Sequence, residues 1–225
     1  MSQRRDGKVV ARKRTSSRSS VAAVDPQLRH PGAVLGPRAS RTIETILDAA
    51  RQIFLVKGYA GTTIDEIARS AGLSRGSFYT YFPSKRDVLL ALGSNSLHAG
   101  IDRIAALADL GPQWTVEQLE GWVDEYFAML ERHGSFAFAW TQAAREDEEI
   151  RRAGMKGHLE LSRRMGVALG ELGGAAAPDP TALGLLAYSV LERGWSYAQL
   201  YEGDLDRTRV RDTLARMLAA VAKSP

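Results

Sequence analysis

From Thr63 to Pro83 the chain starts a helix, stops it and starts another almost at once. Thr63 followed by Glu66 is a capping box, in which each side chain bonds the other residue's backbone N–H. Ile64, Ile67, Ala68 and Ala71 then share one face, and Gly72 ends the run. Ser74 caps a second short helix that hides Phe78 and Phe82 before Pro83 breaks the chain. Two such short helices joined by a glycine turn form a helix-turn-helix. Neither is long enough to stand alone, so further helices must cover their apolar sides.

The rest of the sequence supplies those helices. Ile43, Ile46, Leu47, Ala50, Ile53 and Phe54 recur at helical spacing, with order expected from about Ser40 and Gly58 as the stop. Ser84 with Asp87 caps a longer helix through Leu89, Leu90 and Leu92. Further helices are expected near 116–130, 135–146, 147–172, 180–203 and 206–222. Pro178-Asp179-Pro180 is a start signal, with Asp179 as cap and Pro180 in the first turn. Residues 180 to 203 are apolar on most sides, so that helix must be covered on more than one side. No alternating strand and no internal repeat is evident. The expected fold is all-α.

Charge divides the chain. Residues 1–38 carry nine Lys/Arg against two Asp/Glu, and residues 93–225 carry fourteen against nineteen. A basic front and an acidic back suggest a nucleic-acid-facing part joined to a different module, although a solvated tail accounts for the same excess. Residues 1–38 are rich in Arg, Ser, Pro and Gly without apolar periodicity and are expected to be a disordered basic tail. Cysteine is absent, which excludes disulfides and thiolate chemistry. No apolar run is long enough to span a membrane or to form a secretory signal, so no membrane partner and a cytoplasmic location are expected.

A recognition helix hides one side and offers polar groups to the major groove on the other. With Phe78 and Phe82 inward, Arg75, Ser77, Tyr79, Thr80 and Tyr81 are left to face outward. Tyrosine hydroxyls bond phosphate oxygens, and Gly76 keeps the helix start slim for close approach to a nucleic acid.

Gly58-Tyr59-Ala60-Gly61-Thr62-Thr63-Ile64-Asp65-Glu66-Ile67-Ala68 and Ala71-Gly72-Leu73-Ser74-Arg75-Gly76-Ser77-Phe78-Tyr79-Thr80-Tyr81-Phe82-Pro83-Ser84-Lys85 closely resemble the amino-terminal DNA-binding domain of the TetR family. The likeness covers about residues 40–92 without gaps. Beyond it the chain resembles the family only in being helical. The resemblance implies a DNA-binding set of Arg41, Thr63, Ser74, Arg75, Gly76, Ser77, Tyr79, Thr80, Tyr81 and Lys85. Within it Thr63, Tyr79, Tyr81 and Lys85 would meet the backbone, Arg75 and Ser77 the base edges, and Arg75 a guanine in bidentate fashion. Lys85 would bind phosphate together with its helix's N-terminus. Ser77 and Tyr81 stand where the family often has Thr and His.

The resemblance also implies the layout: a helix-turn-helix DNA-binding domain over 39–92 and a helical effector-binding and dimerisation domain over 93–225. A helix-turn-helix reads one half-site, so specific binding calls for a homodimer on a pseudo-palindromic double-stranded DNA operator. The expected interface is the helix pair over about 180–222. Large apolar groups beyond a single core stripe suggest a mostly apolar effector cavity. Its candidate residues are Trp122, Tyr126, Met129, Phe138, Trp140, Gln142, Met155, His158 and Trp195. Core packing is the competing explanation for any one of them.

Other chemistry finds little support. Gly72-Leu73-Ser74-Arg75-Gly76 matches a hydrolase nucleophile elbow, but that motif needs a strand before the serine and a helix precedes it here. His98 and Asp102 are a helical pair without a third metal ligand. No catalytic residue, metal or cofactor is expected. The leading expectation is a small-molecule-responsive dimeric regulator, most often a repressor in this family. The alternative is a sequence-blind architectural DNA-binding protein that relies on its basic tail.

Overall fold

The computed structural model describes residues 36–223, and these are helical throughout, joined by short turns. The tail expected over residues 1–38 lies outside the described residues up to 35, and at its end it is overturned, since Pro37 and Arg38 form the first turn of α1. In order the helices are α1 (Pro37–Lys57), α2 (Ile64–Ser70), α3 (Arg75–Tyr81), α4 (Lys85–Ala108), α5 (Val116–His133), a 3-10 turn (Gly134–Phe136), α6 (Ala137–Ala143), α7 (Glu148–Leu172), α8 (Pro180–Leu200) and α9 (Arg207–Ala222).

The starts are set by side chains. Thr63 and Glu66 form the expected capping box on α2. Ser74, Ser84, Asp147 and Asp179 cap α3, α4, α7 and α8. Thr115 with Gln118 adds a second capping box on α5. Helix α1 begins at Pro37, upstream of Ser40, because Pro37 occupies the first turn, where its missing N–H costs nothing.

Two apolar cores result. The first holds Ile46, Phe54, Ile67, Phe78, Phe82 and Leu89 from α1–α4, together with Phe136, Ala139, Ala143 and Ile150 from the 3-10 turn, α6 and the start of α7. The second is a bundle of α4, α5, α7, α8 and α9 around Leu119, Tyr126, Phe127, Met165, Leu191 and Ala215. Helix α4 runs unbroken through residue 92 and serves both cores. Helices α7 and α8 cross in close contact where Gly166 and Gly184 let each backbone reach the other. They separate towards the start of α7 and the end of α8, where a cavity opens. No helix among the described residues is long and apolar enough to cross a membrane.

Candidate nucleic-acid interface and cavity

The α2–α3 turn closes by hydrogen bonds. Gly72, at φ 70°, donates to Arg69 O at 3.1 Å, and Leu73 donates to Ala68 O at 2.8 Å. These two bonds are those of a helix end with a left-handed glycine, and they fix the angle at which α3 leaves α2. Phe78 packs edge-on to Tyr79 with centroids 5.7 Å apart, and beside Phe82. With Phe78 and Phe82 buried, Ser74, Arg75, Gly76 and Thr80 are exposed, and Ser77, Tyr79 and Tyr81 are half-buried. Arg41 is exposed on α1, beside Arg38, along a groove that also meets Ala71 and Leu73 of the turn.

Several of these side chains already have partners. Arg75 Nη1 donates to both carboxylate oxygens of Asp65 at 2.8 Å, and Nη2 donates to the Tyr79 hydroxyl at 3.3 Å. The guanidinium also lies 5.6 Å from the Tyr79 ring centroid. Its aim is thereby fixed by two neighbours, while the guanidinium's five donors exceed the bonds these make. The Thr63 hydroxyl donates to Glu66 and accepts from the Glu66 N–H. Ser74 and Ser77 hydroxyls meet at 2.9 Å.

Lys85 differs most from the expectation of an open phosphate ligand. Its Nζ donates to Tyr59 O at 2.6 Å and Thr62 O at 2.7 Å, and sits 4.3 Å from the Tyr59 ring centroid. In this arrangement it ties the start of α4 to the α1–α2 loop, because two loop carbonyls offer closer acceptors than solvent. Burial pulls its ammonium below the usual lysine range.

The cavity has a volume of about 970 Å³ and lies among α4, α5, α6, α7 and α8. Of the nine effector candidates, Met129, Trp140, His158 and Trp195 line it. Trp122 and Tyr126 are core residues, with the Trp122 indole donating to Arg103 O at 2.8 Å. Phe138 and Met155 are exposed at 68% and 61%, so they do not line it either. The Gln142 side chain turns away to accept from the Ala60 N–H. Helical periodicity marks which residues are large and apolar, but long-range packing decides which of them face a void.

Sequence reasoning missed the residues that give the cavity its character. Gly93 on α4 and Gly154 on α7 flank the Trp140 ring, and a β-carbon on either would overlap it. Glu192 and Tyr188 of α8 supply polarity. The His158 ring meets Tyr188 edge-on at 5.1 Å. The Trp195 Nε1–H is buried without an acceptor. A lone glutamate within the apolar run from Leu183 to Leu200 was the available signal.

Residues 46–92 match the family described as bacterial regulatory proteins, tetR family. Over 97 residues the chain is 36% identical to the uncharacterized HTH-type transcriptional regulator YvdT of Bacillus subtilis, covering 43% of this chain and 49% of that one. Over 114 residues it is 32% identical to the HTH-type transcriptional regulator EthR of Mycolicibacterium smegmatis, covering 47% and 49%. The match thus spans about half the length of these relatives. Among solved structures, the fatty acid degradation regulator FadR from Bacillus halodurans superposes with a TM-score of 0.62 at 23% identity, over 83% of this chain and 96% of that one.

Proposed function

We propose that this chain, whose residues 46–92 match the tetR family of bacterial regulatory proteins, is a dimeric, effector-responsive transcriptional regulator. It binds a pseudo-palindromic operator through α3 and is released when a small, largely apolar molecule fills the cavity. The observation that carries this reading is the bridge made by α6. One of its residues, Trp140, forms a cavity wall. Two residues on, the Gln142 Oε1 accepts from Ala60 N at 3.1 Å in the loop that leads into α2.

The chemistry follows from position. Arg75, held by Asp65 and Tyr79, is the guanine reader, with Ser77 beside it. Thr63, Tyr79, Tyr81 and Arg41 meet the phosphate backbone. Lys85 supports the site by fixing the loop that presents α2. Dimer formation falls to the exposed face of α8 (Leu186 and Val190, which also border the cavity mouth, and Tyr197) with Tyr201 just past its end, together with Met217 and Val221 of α9, all of them apolar or aromatic and exposed. Such a stripe is stable in water once a second copy covers it.

A ligand acts by favouring one conformer over another. Displacing Trp140 moves α6, and α6 carries the Gln142–Ala60 contact. Arg86 of α4 adds a second link, at 2.6 Å to Asp147 at the start of α7. The two recognition helices must sit about 34–36 Å apart, or a multiple of it, so a small tilt is enough to lose one half-site.

The test is retention of fragmented genomic DNA by the purified protein, followed by sequencing. A few strongly enriched sites, each with a short inverted repeat, support the proposal. Diffuse enrichment, lost uniformly as salt rises, contradicts it.

A further inference from the structure

The cavity is walled by Leu97, Phe136, Trp140, Leu161 and Trp195, yet its lining also includes the acidic Glu192. Among the described residues no Lys or Arg forms a salt bridge with Glu192, and the basic groups that act on it are His158 and, from the rim, Arg193. Its neighbours are the Tyr188 hydroxyl and the His158 ring. Burial pushes its pKa up, while Tyr188, His158 and Arg193 pull it down. An ionisable group in a largely apolar cavity with no Lys or Arg salt bridge, and only a histidine beside it, is expensive, and such groups concentrate at functional sites.

The charges at the rim do not supply the missing partner. Lys156 and Arg193 are exposed, and the Arg193 guanidinium lies over the Tyr197 ring, 5.6 Å from its centroid. Solvent screens both, whereas Glu192 acts inside the cavity, where a charge is felt more strongly. A carboxylate among aromatic faces suits a positive charge twice over, through an ion pair and through the ring quadrupoles. An anionic ligand would instead meet like charge in a low dielectric.

We propose that the effector is an amphipathic organic cation whose protonated nitrogen meets the Glu192 carboxylate and whose apolar body lies against Trp140 and Trp195. This rests on the reading of the cavity as the effector site and names the chemical class it selects. Tyr188 and His158, whose rings meet edge-on, complete the polar corner of the cavity beside Glu192. The unmatched indole N–H of Trp195 adds one donor, which suits a hydroxyl, ether or carbonyl oxygen elsewhere on the same molecule.

The experiment compares three probes of equal chain length at neutral pH, below their micelle concentrations: decylamine, decanol and decanoate. Binding to the full chain is read by tryptophan fluorescence, and release of a bound DNA site by anisotropy. Decylamine is expected to bind at least about tenfold more tightly than decanol, with decanoate the weakest. Glu192→Gln, with its fold checked by circular dichroism, is expected to bring decylamine to within about threefold of decanol. Decanol or decanoate binding the native protein as tightly as decylamine overturns the proposal and leaves the cavity as an effector site. So does a Glu192→Gln protein that keeps the preference. Binding of none of the three overturns the effector-site reading as well. The native comparison decides the matter even if the variant fails to fold.

Discussion

The side-chain oxygen of Gln142 accepts a hydrogen bond from the backbone N–H of Ala60 at 3.1 Å, across 82 positions of sequence. The same oxygen lies over Gly58, whose φ of 68° needs no β-carbon and where one would collide with it. Helix α6 thereby grips the loop that presents the helix-turn-helix. Gln142→Ala should lower stability by about 0.5–1.5 kcal/mol, the ordinary worth of one such bond. It should also speed hydrogen exchange at the Ala60 amide, while exchange in the α5–α9 core stays unchanged.

In the middle of α6, Trp140 depends on two missing side chains. Gly154→Ala should cost about 1–3 kcal/mol in chemical denaturation, because the added methyl must push the indole aside. In a Trp140→Leu background the same change should cost less, since the ring it displaces is gone. Additive costs would show that the glycine and the ring do not share the space.

Arg75→Ala should weaken operator binding by about 1–3 kcal/mol and relax preference at one base position, with a smaller effect on bulk DNA. Lys85→Ala should act differently. It removes the bonds to Tyr59 O and Thr62 O, so thermal stability should fall along with DNA affinity. Melting curves beside anisotropy titrations separate the two behaviours.

The fold was legible because its starts and stops are written in single residues: Thr63 with Glu66, Gly72, Ser74, Ser84 and Asp179. Less legible was the extent of α4, which runs on to Ala108, since Gly93, Ser94 and Ser96 obscure its apolar periodicity. At the interface, sequence pointed to the outward face of α3. It was silent on partners, because nothing local says that Asp65 holds Arg75 or that Lys85 turns to two carbonyls. At the cavity, attention to large residues favoured Phe138 and Met155, which are exposed, over Gly93 and Gly154, whose absent side chains make the room.

Acid should weaken the helix-turn-helix through Glu66. Hydrogen bonds from Lys57 and Thr63 hold its carboxyl at about 2, against an ordinary 4.5. A depressed folded-state pKa contributes stability that is present above 4.5 and lost as pH falls towards 2. The stability difference between the native protein and Glu66→Gln should therefore be largest near neutrality and shrink across that window. A difference independent of pH would contradict the assignment.

Met217 is an exposed methionine on the outward face of α9, with Val221 one turn further on. Met217→Glu should place a charge in the proposed dimer interface, shifting sedimentation towards a monomer and weakening operator binding. A variant that remains dimeric would move the interface elsewhere.

Sequence-specific DNA recognition is the central claim, and its most direct test is a ratio. Affinity for a recovered genomic site is measured by anisotropy against a scrambled fragment of equal length, at one fixed near-physiological salt concentration. A ratio of about 10³ or more, reduced by Arg75→Ala, is the predicted result. A ratio near one, with both fragments showing the same salt dependence, would mean that α3 does not read sequence and would contradict the account.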